Sequence, residues 1–355
     1  MKHNLRITFV IVVMFIISQL IGLAIVASYD QFFGATHNKI VQQAKDQNIT
    51  LAEPNVSVTK ELLPPPVEIQ KPQSFLDALR NFGDISSLII STLIAFAFGA
   101  LIFFLLLKFG VIKVVKWWFG IVILICLTIA STLILYPLLG NTLVNILGAK
   151  FSLAEIIAVP LSLILVFYKI IKKNLIVHNI TELFVYPGLA ILLIPMFKEV
   201  ILATTLLLAI SIYDIVAVWR SSYMVNLAKF QIEKLQIFGG FFVPYVNKKD
   251  RAQIKLIRAK IKAKKVKTSS PEVRDAASKI KVAALGGGDV AFPMIFLGAI
   301  FLTFGLAAYF ITLITISLAL LLLLLFSKKD TAYPAMPYLT AGSLLGLFIA
   351  LFFLI

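Results

Sequence analysis

Two aspartates lie within apolar stretches of this chain. Asp214 sits in Leu208-Ala209-Ile210-Ser211-Ile212-Tyr213-Asp214-Ile215-Val216, and Asp289 in Ala284-Leu285-Gly286-Gly287-Gly288-Asp289-Val290. An ionisable group at membrane depth is costly and marks function by default. Two carboxylates brought together in apolar surroundings do not both ionise easily, so such a pair holds one proton between them. One carboxylate then takes a proton from water while its protonated partner polarises a carbonyl, the chemistry of peptide-bond hydrolysis. The same residues also serve as helix-pairing hydrogen bonds or as steps on an ion path, and these alternatives stay open at this point.

Two further motifs lie beside the aspartates. Gly286-Gly287-Gly288 precedes Asp289. It weakens a helix and leaves backbone open to an approaching peptide; close helix packing is the plainer use. Tyr333-Pro334-Ala335-Met336-Pro337-Tyr338 opens the last apolar block. Pro334 and Pro337 lack N–H donors, so this end is expected to be non-helical and open to strand pairing with an extended substrate. An ordinary proline-marked helix start accounts for it equally.

The elements that must position these residues are membrane spans. Apolar residues make up 60% of the chain and charged residues 14%, against near half and about a quarter in soluble domains. The apolar residues form long blocks, which read as spanning helices. The expected fold is all-α and polytopic, with nine transmembrane helices near 5–28, 85–109, 116–138, 152–170, 182–197, 200–219, 283–308, 311–327 and 333–355. The first block is long for a cleaved signal peptide and reads as a retained helix. The run 289–327 would measure about 58 Å as one helix against a core near 30 Å, so a turn is expected near Tyr309-Phe310. Lys198-Glu199, after Pro195, divides 182–219. Cys126 is the single cysteine, which excludes an intrachain disulfide or thiolate metal cluster and reads as a small buried hydrophobe.

The net charge is +16, and Arg220–Gly288 holds 16 Lys/Arg against 4 Asp/Glu. That concentration between two apolar blocks marks a cytoplasmic loop rather than a nucleic-acid site. Met1–Arg6, Lys108/Lys113/Lys116, Lys169/Lys172/Lys173 and Lys328-Lys329 fall on the same side if nine spans are counted. The positive-inside rule then places the N-terminus and loop 220–282 in the cytoplasm and the C-terminus outside. The chain divides into 1–219 (spans one to six, with an extracytoplasmic loop 29–84), the basic loop 220–282, and 283–355 (spans seven to nine). Loop 29–84 carries a stiff Pro64-Pro65-Pro66, a short helix over 74–82 and Asn-x-Ser/Thr triplets at Asn48 and Asn55. Ile254, Ile257 and Ile261 share a face among lysines, as in a helix lying on an anionic leaflet. Glu155, Glu182 and Glu199 lie near span ends and are expected to face headgroups.

Span six runs outward to inward and span seven returns, so Asp214 and Asp289 fall at one depth near the cytoplasmic side. Together the three motifs resemble those of the GxGD intramembrane aspartyl proteases, the presenilin and signal peptide peptidase superfamily. Tyr213-Asp214 is similar to the family's YD, Gly286-Gly287-Gly288-Asp289 to GxGD, and Pro334-Ala335-Met336 to PAL with Met for Leu. The cytoplasmic N-terminus looks like presenilin, and the compact loops look most like archaeal presenilin-type homologues. The resemblance implies a presenilin-like fold and cleavage of transmembrane-helix substrates within the bilayer. Asp214 and Asp289 would carry it with water and no metal or cofactor. Gly286, Gly287, Gly288, Pro334, Ala335, Met336 and Tyr213 would lie along the substrate, with no nucleic acid involved and a single chain or a homo-oligomer as the working unit. The competing readings are a cation or proton-coupled transporter or channel, and a structural or chaperone-like membrane protein.

Overall fold

A backbone within a bilayer has no water to bond, so helices that close their own hydrogen bonds dominate. The computed structural model describes residues 5–46, 112–139, 142–146, 149–170, 174–219, 239–246, 280–327 and 333–354, with the isolated positions 94, 172 and 256. In chain order these form α1 (Leu5–Asp46), α2 (Ile112–Leu139), β1 (Leu143–Ile146), β2 (Ala149–Ser152), α3 (Leu153–Ile170), α4 (Leu175–Leu193), α5 (Val200–Trp219), β3 (Gly240–Val246), β4 (Ile280–Gly286), α6 (Gly287–Phe326) and α7 (Met336–Leu354). All seven helices contain a stretch long and apolar enough to cross a membrane.

Several boundaries differ from the sequence expectations, each for a local reason. α6 is two helices joined at Gly305, whose φ of 81° and ψ of −168° leave the helical region. The break comes before the expected Tyr309-Phe310 because glycine accepts a positive φ that an aromatic residue resists. The Phe301 and Tyr309 rings meet edge to face at 6.3 Å, whereas a straight helix separates such residues by about 12 Å along its axis. The limbs 287–304 and 306–326 are each long enough to span, at about 27 and 31 Å. Eight spans thus lie among the described residues.

α1 continues to Asp46, although its spanning part is Leu5–Tyr29. The sequence 29–46 has one glycine and no proline, so nothing stops the helix where its apolar stretch ends. α4 begins at Leu175 rather than 182. Asn174 caps it, its side chain accepting from the N–H groups of Ile176 and Val177 at 2.9 and 3.4 Å. Ser152 and Glu155 form a reciprocal capping box at the start of α3, at 2.8 and 3.3 Å.

Two antiparallel strand pairs lie between the helices, β1 with β2 and β3 with β4. In the second, Gly240 faces Gly286 and Val246 faces Ile280. The ladder continues through Gly287, whose N–H donates to Gly239 O at 3.1 Å. The expected start of span seven at 283 is therefore strand, and helix begins only at Gly287. The span expected at 85–109, the features of 47–84, the surface helix around Ile254 to Ile261 and Lys328-Lys329 lie outside the described residues.

The first limb of α6 is the axis of the molecule. Val290, Phe296, Leu297, Ala299 and Ile300 are fully buried. α1, α4, α5 and α7 pack around α6. A helix apolar on every side suits this central position. α3 instead presents Leu161, Leu163, Ile164 and Phe167 outward, the face a bilayer covers.

Candidate active site

Asp214 lies five residues before the end of α5, and Asp289 lies in the first turn of α6. The packing of α5 against both α6 and α7 brings them to one end of the bundle. Asp214 is buried and Asp289 half-buried.

Each carboxylate is held by backbone N–H groups from a neighbouring motif. Asp214 Oδ2 accepts from Met336 N at 3.0 Å and is also bonded by Ala335 N–H. These donors are orphans of the first turn of α7, and Pro334, buried just before them, keeps the chain out of helix. The junction is stitched one turn away, where Ser211 Oγ meets Thr340 Oγ1 at 2.6 Å and both hydroxyls turn towards Leu207 O. Asp289 accepts from Gly286 N–H. Gly286 is the N-cap of α6, so Asp289 supplies the returning arm of a capping box. Pro293 has no N–H to offer the Asp289 carbonyl, which leaves that helical turn open.

Gly287 admits no side chain. A Cβ there would sit 2.8 Å from Tyr186 Oη and 2.9 Å from Cε1 of the same ring. Tyr186 is buried and packs edge to face on Phe241 of β3 at 5.7 Å. The glycine thus lets the strand-to-helix junction bed against α4. Of the residues singled out in the sequence, Asp214, Asp289, Gly286, Gly287, Gly288, Pro334, Ala335 and Met336 gather at this end. Tyr213 points outward and is 57% exposed.

A sequence model described as signal-peptide peptidase, presenilin aspartyl protease matches residues 55–355. The chain belongs to this family. It is a multi-pass membrane enzyme, an intramembrane aspartyl protease. A solved presenilin family intramembrane aspartate protease is similar to it over 97% of this chain and 98% of that chain, with a TM-score of 0.51 at 14% identity; at that identity the likeness speaks for the fold. No curated protein matches the chain.

Of the polar groups around this candidate site, Gln19 and the pair Asn179 and His178 were not singled out in the sequence, and Glu182 lies elsewhere than expected. Gln19 of α1 is fully buried, and its Nε2 donates to Val290 O, one residue beyond Asp289, at 3.0 Å. Tyr309 Oη in turn donates to Gln19 O at 2.6 Å. Glu182, expected at the headgroups, is instead buried and paired with buried Lys169 of α3 at 2.5 Å. Asn179 and His178, also on α4, bond the backbone of β3. A lone amide in a long apolar block was the available signal for Gln19. An Asn cap before a polar-striped helix was the signal for the α4 group.

Proposed function

We propose that Asp214 and Asp289 are the catalytic pair and that water between them hydrolyses a peptide bond in an unwound stretch of a substrate's transmembrane helix. One carboxylate takes a proton from the water as it attacks the scissile carbonyl. The other gives its proton to the carbonyl oxygen, and the tetrahedral intermediate collapses with a proton passed to the leaving amine. The carrying observation is that the backbone at Met336 donates to Asp214 while α5, which carries Asp214, packs against α6, which opens on Asp289. One carboxylate is thereby tied to each of two non-helical segments.

A helix must open before it is cut, and an open strand needs backbone partners. β4 leads directly into Gly287 and Asp289. Because Phe242 turns its N–H and C=O away from β4, its partner Ala284 turns its own away from β3. Ala284 is exposed, and its side of β4 is where an extended substrate segment adds as a strand. Gly286, Gly287 and Gly288 continue that line, and Pro334, Ala335 and Met336 close it from α7. The N-terminus and loop 220–282 lie in the cytoplasm, the C-terminus lies outside, and the chain works alone or as a homo-oligomer.

The test uses the purified chain in lipid vesicles with a single-span substrate. Asp214→Asn and Asp289→Asn should each lower cleavage by at least about a hundredfold with helix content unchanged by circular dichroism. Cleavage by either variant at the unsubstituted rate refutes the assignment.

A further inference from the structure

β3 has two edges, and α4 occupies one of them. Asn179 Nδ2 donates to Phe242 O at 2.7 Å, and Asn179 Oδ1 accepts from Phe242 N at 2.9 Å. A single amide thus bonds both outward groups of one strand residue, as a neighbouring strand would. Two residues earlier, and so on the same edge, Gly240 O is bonded by His178 Nε2 at 2.9 Å. The His178 ring lies 5.2 Å from that of Phe242.

Glu182, one turn further along α4, approaches His178. His178 Nε2 is 3.8 Å from Glu182 Oε1, which is paired with Lys169. That ion pair joins α4 to α3 below the surface of both helices, where an unpaired charge is strongly disfavoured. α3, α4, β3 and β4 are therefore linked in series, and β4 ends two residues before Gly288-Asp289.

We propose that Asn179 and His178 are positioning residues: they clamp the outer edge of β3 to α4, so that an extended substrate pairs only along the outer edge of β4 and reaches Asp289 in one register. This rests on the protease reading above. A slip of a strand by one residue turns every side chain to the opposite face, and a slip here carries a different peptide bond to the aspartates. The clamp accordingly sets where the substrate is cut as well as how fast.

Two measurements on the full chain in vesicles test this. The first maps cleavage products of a single-span peptide by mass spectrometry. Asn179→Leu should spread cleavage from one dominant bond to neighbouring bonds and lower the rate at the original bond about tenfold. Asn179→Asp, which keeps the acceptor for Phe242 N–H, should spread it less and serves if the leucine variant does not fold. Leu127→Ala opens a cavity where α2 meets Val185 of α4 while leaving both clamp side chains in place, and should lower thermal stability without adding products. The second measurement follows amide hydrogen exchange in an Asp289→Asn background. The peptide should slow exchange at Ala284 at least about tenfold, and less so with Asn179→Leu, while Phe242 is protected before any peptide is added. An unchanged product pattern in both Asn179 variants, or an Ala284 amide indifferent to the peptide, overturns the clamp. A parent chain that protects Ala284 but does not cleave retains the clamp and removes the catalytic reading.

Discussion

At the scale of single residues, the aspartates are held by backbone more than by side chains. Asp214 takes its bonds from Ala335 and Met336, and Asp289 from Gly286. Gln19 adds a side-chain contribution beside Asp289, through Val290 O. Its Oε1 has no partner among the described residues, so leucine at this position removes one hydrogen bond and one buried unsatisfied acceptor together. These effects oppose each other, and Gln19→Leu should change stability by no more than about 1 kcal/mol. Its effect should fall on the turnover number, because the turn carrying Asp289 already lacks the bond that Pro293 cannot make. We expect kcat to drop about tenfold with KM little changed, read from initial rates over a range of substrate concentrations. An equal rise in KM would place Gln19 in substrate binding instead. The sequence displayed Gln19 as a lone amide among apolar residues, but its partner is distant in the chain, and spacing does not reach that far. Asp214, Asp289 and the glycines were legible because charges and triple glycine are anomalous in a span whatever surrounds them.

At the scale of elements, what escaped the sequence reading was structure made of short or paired pieces. Phe241–Val246 is aromatic and β-branched and follows Gly239-Gly240, a strand signal, yet it sits in a segment otherwise dominated by lysine. Its partner lies beyond the basic loop, so neither strand declares itself alone. The Lys169–Glu182 pair was hidden for a related reason. Each residue lies within a turn or two of a helix end, where a charge ordinarily reaches headgroups, and only the start of α4 at Leu175 places Glu182 two turns inside. Both side chains are almost wholly buried. Glu182→Gln leaves the Lys169 ammonium uncompensated and should cost about 3–5 kcal/mol, whereas Lys169→Met with Glu182→Leu should recover most of that loss. Thermal unfolding in detergent, followed by circular dichroism, checks both. A double variant no more stable than Glu182→Gln would show that the pair contributes more than mutual neutralisation. The turn in α6 was anticipated from length alone. Its position was set by Gly305, the residue there that takes a positive φ without strain.

At the scale of the molecule, helix polarity and charge make one argument. The aspartate end gathers the C-terminal ends of α3 and α5 with the N-terminal ends of α4, α6 and α7. The connection from α3 to α4 carries Lys172 and Lys173, and the connection from β3 to β4 lies within the basic loop. Lys169 no longer counts towards that side, since its charge is paired inside the bundle. The remaining asymmetry supports the proposed cytoplasmic placement of this end. The β1–β2 hairpin, between α2 and α3, then faces outward. Two exposed positions at opposite ends make the orientation measurable, Lys172 in the α3–α4 connection and Asn145 in β1. The native Cys126 is buried, so a membrane-impermeant thiol reagent should leave the unsubstituted chain unlabelled. In intact cells Asn145→Cys should label and Lys172→Cys should not. Permeabilising the membrane should expose Lys172→Cys without changing Asn145→Cys. The reverse pattern would turn the molecule over, placing the aspartate pair beneath the outer leaflet and the basic loop outside, against the charge rule.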